Sequence, residues 1–173
     1  IYTIGGSFWE FGGPDLDRSR LLVMLGTAED HADAVRRARL AWAAAAVGTS
    51  QAVLDHVSEY VKERKAFGKR IIDFQNTQFK LAEIKTKLTV AKVFVDHCIG
   101  LHLKGQLDAA TASMAKYWVT DIQGETIDEM LQLHGGYGYM NEYAIAQLYK
   151  DARVQRIYGG TNEIMKELIG RSL

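Results

Sequence analysis

Residues 81–98 read LAEIKTKLTVAKVFVDHC, and the spacing of the apolar side chains in this stretch decides the fold. Apolar residues recur at alternating steps of three and four, so a helix places them along one stripe. The stripe consists of Leu81, Ile84, Leu88, Ala91, Val95 and Cys98. No proline lies between residues 28 and 171, and proline is the strongest helix breaker. We therefore predict a long helix from Asp73 to Lys104.

The preceding stretch, from Ala28 to Arg64, repeats this pattern and predicts a first long helix. Its stripe consists of Leu40, Ala43, Val47, Ser50, Leu54, Val57 and Val61. At 1.5 Å per residue such a helix reaches about 50 Å, which is typical of helical bundles. Gly68 and its basic neighbours favour a helix end at this point. The two long helices are therefore expected to form an antiparallel hairpin.

Three more helices are predicted towards the C-terminus. The third runs from Asp108 to His134 and the fourth from Glu142 to Arg156, while a short last helix begins after Thr161, a favourable N-cap residue. The inner face of the third helix is predicted to contain Ala115, Val119, Ile122, Thr126 and Leu133. The expected fold is all-α: an up-and-down four-helix bundle with a short extra C-terminal helix, over residues 28–173.

Residues 1–27 form the least regular part of the sequence. They contain five glycines and the single proline, Pro14, and no signal or transit peptide pattern is visible in them. We interpret this segment as a junction to other sequence.

Composition and charge exclude several classes of function. Lys plus Arg and Asp plus Glu both number 21, so no net field attracts nucleic acid or an anionic membrane. The most apolar run, 40–47, is far shorter than the roughly 20 residues of a membrane span. The single cysteine, Cys98, excludes an internal disulfide and fits a reducing compartment.

His97, Cys98 and His102 suggest a metal site, because Cys98 and His102 are four residues apart on a predicted helix. Two ligands at helical spacing do not complete a zinc site, which needs three or four. We interpret these residues as a core thiol beside surface histidines.

Three short segments stand out: 63–69, reading ERKAFGK; 132–139, reading QLHGGYGY; and 157–164, reading IYGGTNEI. Each has an ordinary structural interpretation when taken alone. Arg64 can be a solvated helix end, Gly135 and Gly136 can cap a helix, and Glu163 can face the positive end of the last helix. Chemically, Arg64 can bind a phosphate through two hydrogen bonds, and the two glycines leave room for a phosphate near the backbone.

Together, in this order and spacing, the three segments resemble the C-terminal helical domain of the acyl-CoA dehydrogenase family, from about residue 36 to the end. Within that family, the sequence most resembles the long-chain and isovaleryl branches. The resemblance implies FAD as cofactor, with Arg64 and Phe67 reaching the FAD of a neighbouring protomer. It also implies that Gln75 and Gln132 bind the adenosine half, that Gly135 and Gly136 approach a phosphate, and that Thr161 and Glu163 bind the flavin nucleotide.

The same resemblance implies a reaction, the α,β-dehydrogenation of an acyl-CoA thioester, which requires a base at Cα. The family places a glutamate at one of two positions, which here are Ala38 and Gly159, so neither carries a carboxylate. Arg39, Tyr158 and the backbone of Gly159 correspond to substrate-binding positions. Glu29 and Asp33 lie more than one helical turn before position 38, and we interpret them as surface charges. The chain alone is therefore expected to be inactive.

Two functional hypotheses remain at this point. The first is the C-terminal domain of an acyl-CoA dehydrogenase, which supplies FAD and oligomer contacts. The second is a non-catalytic subunit or helical oligomerisation module of the same type. The resemblance further implies a homodimer or homotetramer, an electron-transferring flavoprotein as electron acceptor, and a location in the bacterial cytoplasm or the mitochondrial matrix.

Overall fold

The computed structural model describes residues 31–173, with side chains from residue 35 onward. Over this range the chain forms helices α1 (His31–Glu63), α2 (Gln75–Leu103), α3 (Ala109–Gln132), α4 (Ala144–Arg153) and α5 (Asn162–Gly170). The all-α bundle with a short extra C-terminal helix is confirmed. The predicted irregular segment, 1–27, lies outside the described residues.

The core lies where α1, α2 and α3 pack against one another. Both predicted apolar stripes face it, and side chains such as Val57, Ile84 and Leu88 are almost fully buried. Burial of each such side chain contributes about 1.5–3 kcal/mol. Along α1 the predicted Val47 is only partly buried, whereas Ala46 and Val53 are buried. The reason is that a helix has 3.6 residues per turn and drifts away from a strict three-and-four repeat.

The connection between α1 and α2 differs from the predicted glycine stop. It contains two short antiparallel strands, β1 (Lys65–Ala66) and β2 (Lys69–Arg70). The turn residues Phe67 and Gly68 have φ angles of 51° and 80°, as a tight hairpin turn with two positive φ angles requires. A 3-10 turn, Ile71–Asp73, then leads into α2, which therefore begins slightly later than predicted.

The three C-terminal helices begin and end near the predicted positions. The Asp108 carboxylate caps α3 by accepting a hydrogen bond from Thr111 N at 2.8 Å. Helix α4 begins at Ala144 rather than at Glu142 and ends in a 3-10 turn, Val154–Arg156. The predicted inner face of α3 is confirmed except for Leu133, which follows the helix end and is only partly buried.

Cys98 lies in the core, and burial raises the pKa of its thiol. Among the side chains of residues 35–173 no group of His, Cys, Asp or Glu could hold a metal ion. In the same part of the chain, no helix combines the length and apolar character needed to cross a membrane.

Candidate functional site

The end of α3 and the β-hairpin border a cavity of about 610 Å³. Four of the predicted cofactor residues line it: Arg64, Gln132, Gly135 and Gly136. We call this cavity the glycine cleft. Its glycines open a 3-10 turn, Gly135–Tyr139, that follows α3 directly. Residues that are distant in sequence, from the end of α1 and the end of α3, therefore meet in one concave surface.

Arg64 is held over an aromatic ring at the edge of the cleft. Its guanidinium carbon lies 4.7 Å from the centre of the Tyr137 ring, within the range of a cation–π contact. Tyr137 in turn stacks on Tyr143, with ring centres 5.0 Å apart. Arg64 is nevertheless exposed, so its N–H groups are both oriented and accessible to an anion.

Two more rings form the inner wall of the cleft. The buried His134 ring stacks on Tyr60 at 4.1 Å between centres, and Nδ1 of His134 lies 2.9 Å from Met130 O. Burial lowers the pKa of His134, so the ring is a neutral packing element. The Tyr60 hydroxyl is buried and, among the described residues, has no hydrogen-bond partner. A bound polar group would satisfy this hydroxyl, whose pKa burial raises.

The two glycines of the cleft differ in what their backbones require. Gly135 has a φ of 59°, which fits the residue that follows a helix end. Gly136 has no such requirement. At both positions an added Cβ would meet no other described atom within 4 Å. The backbone there is open towards the cleft. Gly135 can therefore cap the helix and still leave space for a ligand.

Phe67 and Gln75 do not line the glycine cleft. Phe67 lies at the hairpin tip with 96% of its surface exposed, and its nearest aromatic contact is an edge-on approach to Phe74 at 6.5 Å. Gln75 is exposed at the first residue of α2. The predicted cofactor role of both residues therefore depends on a contact outside the glycine cleft and stays a prediction.

The second region is the terminal loop, 158–161, which packs against α1. The Tyr158 ring contacts the Trp42 ring at 4.2 Å between centres. Gly159 has a φ of 65°, and a Cβ there would lie 3.0 Å from Trp42 Nε1. Both the backbone angle and the indole therefore exclude a side chain at position 159 without local rearrangement. The sequence did not single out Trp42.

Ala38 and Arg39 lie on the α1 segment that faces this loop. Ala38 is one helical turn before Trp42 and is partly buried. Arg39 is buried, and its Nη1 donates a hydrogen bond to Ser113 Oγ at 3.0 Å. Its Nε is also buried and has no partner in the described part of the chain. Desolvation lowers the pKa of this guanidinium. Of the two alternative carboxylates, Glu29 and the side chain of Asp33 lie outside the described residues.

Thr161 and Glu163 shape the start of α5. The Thr161 hydroxyl accepts a hydrogen bond from Ile164 N at 3.4 Å, which confirms the predicted N-cap. Glu163 is exposed in the first turn. Hydrogen bonds from its own backbone N–H and from the Thr161 side chain lower the pKa of Glu163. The ordinary role at a helix start is thus present, and the cofactor role of both residues stays a prediction.

One buried lysine in this region was not predicted from the sequence. Lys116 lies on α3 with no exposed surface. Its Nζ donates hydrogen bonds to Gly160 O at 2.7 Å and to Asn162 Oδ1 at 2.8 Å. The sequence did offer one indication of its burial. Lys116 directly follows Ala115, a predicted inner-face residue, and lies one helical turn before Val119, another such residue.

A helical bundle with a glycine cleft and a capped terminal loop defines a known class of domain. A solved acyl-CoA dehydrogenase from Geobacillus kaustophilus superposes on 81% of this chain with a TM-score of 0.79 and 44% identity, using 37% of its own length. The family model described as acyl-CoA dehydrogenase, C-terminal domain, matches residues 29–173. The chain belongs to this family.

Two curated relatives are similar over the same part of the chain. The long-chain specific acyl-CoA dehydrogenase of Sus scrofa mitochondria is 53% identical over 135 residues, which are 78% of this chain and 31% of the relative. The caffeyl-CoA reductase–Etf complex subunit CarC of Acetobacterium woodii is 41% identical, covering 78% of this chain and 36% of the relative. The chain thus spans about a third of the length of these relatives, one mitochondrial and one bacterial.

Proposed function

We propose that this chain is the C-terminal part of a flavin-dependent acyl-CoA dehydrogenase-type protein, that it supplies FAD and oligomer contacts, and that it lacks the catalytic base. The observation that carries the proposal is the glycine cleft. There the geometry brings together Arg64, Gln132 and the two glycines, which the resemblance to the family assigns to FAD.

The residues of the cleft fit a dinucleotide. Arg64 offers a bidentate donor to a phosphate, Gly135 and Gly136 leave their backbone open, and the Tyr60 hydroxyl lacks a partner within the described chain. Phe67 and Gln75, outside the cleft, would extend this contact to the FAD of a neighbouring protomer. Thr161 and Glu163 would contact the flavin nucleotide of the chain's own protomer. When bound, FAD accepts the hydride that leaves Cβ of the substrate.

The terminal loop would hold the acyl-CoA thioester. Burial raises the pKa of Tyr158 to about 12, so its phenol stays protonated and is a hydrogen-bond donor rather than a base. The N–H of Gly159 would polarise the thioester carbonyl, a contribution of the kind made by oxyanion holes. Arg39 adds positive charge from the adjacent helix.

Among the described side chains around the terminal loop, none is placed to remove the α-proton. Ala38 presents a methyl group, and the space beside Gly159 is filled by Trp42. Loss of a general base typically lowers a rate about 10²–10⁴-fold. We therefore propose that the chain retains binding contacts for flavin and thioester but has lost most of the dehydrogenation rate.

Association with further copies fits the exposed surface of the domain. Helix α2 carries the exposed apolar residues Phe79, Val90, Val93 and Leu103, and such groups of side chains favour a protein interface. A homodimer or homotetramer is proposed on this basis. We propose an electron-transferring flavoprotein as acceptor, and the Etf complex named for the Acetobacterium relative supports this. The bacterial cytoplasm or the mitochondrial matrix is the proposed location.

The second candidate, a non-catalytic subunit, is favoured by one observation, the methyl group at position 38. It predicts no turnover with any acyl-CoA, even when flavin is bound. The first candidate predicts that a carboxylate at position 38 is sufficient to start turnover.

The experiment uses the full-length protein that contains this chain. It is purified, its flavin absorbance is recorded, and acyl-CoA thioesters of several lengths are added without oxygen. We expect bound flavin that is not bleached in the unmodified protein, bleaching in Ala38→Glu, and none in Ala38→Gln, which matches the shape of glutamate but is not a base. Complete bleaching of the unmodified protein would refute the missing base, and absence of flavin in all three would refute the proposed cofactor.

A further inference from the structure

A lysine with no exposed surface is an unusual feature of a protein interior, because an ammonium group loses its hydration there. Lys116 is placed in this way on the buried face of α3. Neither of the two hydrogen bonds that its Nζ donates stays within α3. One goes to the backbone carbonyl of Gly160 and the other to the side chain of Asn162. The ammonium group therefore binds the terminal loop and the first residue of α5.

Asn162 completes this connection from the side of the loop. Its amide nitrogen donates to Thr120 Oγ1 at 3.1 Å, to Asp121 Oδ1 at 3.1 Å and to Tyr117 O at 3.2 Å. Asn162 is itself buried. Both ends of its side-chain amide are thus bonded to one surface of α3, so the start of α5 has one defined position on that surface.

The loop is fixed to α3 on its other side as well. Arg156, just before the loop, pairs with Asp121 at 3.1 Å, and its Nη2 donates to Asp121 O at 2.9 Å. Gly124 makes room for this arginine, since a Cβ there would lie 2.3 Å from Arg156 Nη2. The residues between Arg156 and Asn162 are therefore held between two anchors on the same helix.

The geometry points to Lys116 as a positioning residue: through Gly160 O and Asn162 Oδ1 it holds the terminal loop in the conformation that places Tyr158 and Gly159 against Trp42 of α1. Both hydrogen bonds of Lys116 Nζ are made to the loop and to Asn162, so the role we assign to it is positioning and not contact with reacting atoms. The use of that conformation for a thioester carbonyl rests on the proposed function, whereas the positioning itself concerns only this chain.

A charge in this place also adds to the field at the loop. The N-terminus of α5 is positive, Arg39 lies close enough for its charge to act on Lys116, and desolvation is the main cause that lowers the pKa of Lys116 to about 8. Nearby Asp121 and Glu163 act in the opposite direction. The charge of Lys116 is therefore partly balanced by these two carboxylates, and its contribution to the loop is carried by its two hydrogen bonds.

Hydrogen exchange of the 173-residue chain tests this positioning role without flavin or thioester, so its failure is distinct from failure of the proposed function. In Lys116→Met, which retains most of the side-chain volume, we expect the amides of residues 159–162 to exchange at least about tenfold faster relative to those of α2. The matched control is Met130→Ala, which removes a buried apolar side chain from the same helix, away from the contacts of Arg156 and Asn162. It should leave the ratio of loop to α2 exchange unchanged.

Asn162→Ala tests the same contact while Lys116 stays in place. We expect the same loop-specific increase in exchange. A loop-to-α2 ratio in Lys116→Met and Asn162→Ala that is no greater than in Met130→Ala would overturn the proposal, since Lys116 would then act only as part of the general core.

Discussion

Gly159→Ala should destabilise the domain more than an otherwise equivalent substitution at Gly105. Both glycines have nearly the same positive φ, 65° and 67°. At Gly105 an added Cβ meets no other described atom within 4 Å, whereas at Gly159 it lies 3.0 Å from Trp42 Nε1 and 3.3 Å from Cδ1. The pair therefore separates backbone strain from a steric clash.

The expected magnitudes follow from this comparison. An alanine in the left-handed region costs about 1–2 kcal/mol, and this cost applies to both variants. Overpacking adds about 1–3 kcal/mol at Gly159, because the indole is held in place by the Tyr158 ring. The loss of stability in Gly159→Ala should thus exceed that in Gly105→Ala by about 1–3 kcal/mol. Each kcal/mol corresponds to about 2–4 °C in Tm for a chain of this size.

Urea unfolding followed by circular dichroism measures both variants, with the slope of the transition as a check that the unfolded state is unchanged. The same substitution is then repeated in Trp42→Leu, where the clash is removed and the cost of Gly159→Ala should fall to that of Gly105→Ala. Equal costs for the two glycines in the native background would refute the reasoning. The difference also bears on function, because a side chain excluded at 159 leaves position 38 as the place to restore a base.

Two further predictions concern buried polar groups. Because the folded-state pKa of Lys116 is about 8 against an ordinary value of 10.5, the unfolded chain binds more protons between these values. The free energy of unfolding should therefore rise with pH across this window, by about 1–3 kcal/mol. Urea unfolding measured at several pH values should show a smaller rise in Lys116→Met. Identical pH profiles for the two proteins would contradict this prediction. Tyr60→Phe removes a buried hydroxyl that lacks a partner in the described chain. The free energy of unfolding, measured by thermal unfolding, should therefore change by less than about 1 kcal/mol. In the full-length protein, Tyr60→Phe should lose flavin more readily on dialysis. Unchanged flavin retention would exclude a role for the Tyr60 hydroxyl in binding flavin.

Several parts of the fold could be predicted because their physical cause is local. The apolar repeat from Leu81 to Cys98 defines one face of a helix regardless of its partner, and Asp108 and Thr161 cap the helices that follow them. The β-hairpin at Lys65–Arg70 was missed because Gly68 fits both a helix end and a tight turn. Only the pairing of Lys65 with Arg70 distinguishes the two.

The candidate site divides in the same way. The three sequence segments were enough to indicate Arg64, Gln132, Gly135 and Gly136, which the fold then brings into one cleft. The resemblance to the family also implied Phe67 and Gln75 as cofactor residues, although these two side chains lie outside the cleft. Residue type and spacing cannot show the direction in which an exposed side chain extends.

By itself the sequence determined the helices, the family and the absence of a carboxylate at positions 38 and 159, because each depends on residue identity or on a short repeat. The tertiary structure alone decided that Trp42 fills the space beside Gly159 and that Lys116 holds the terminal loop. Lys116 and Gly160 are 44 residues apart. Contacts over such distances arise from the packing of whole helices, and no local pattern in the chain encodes them.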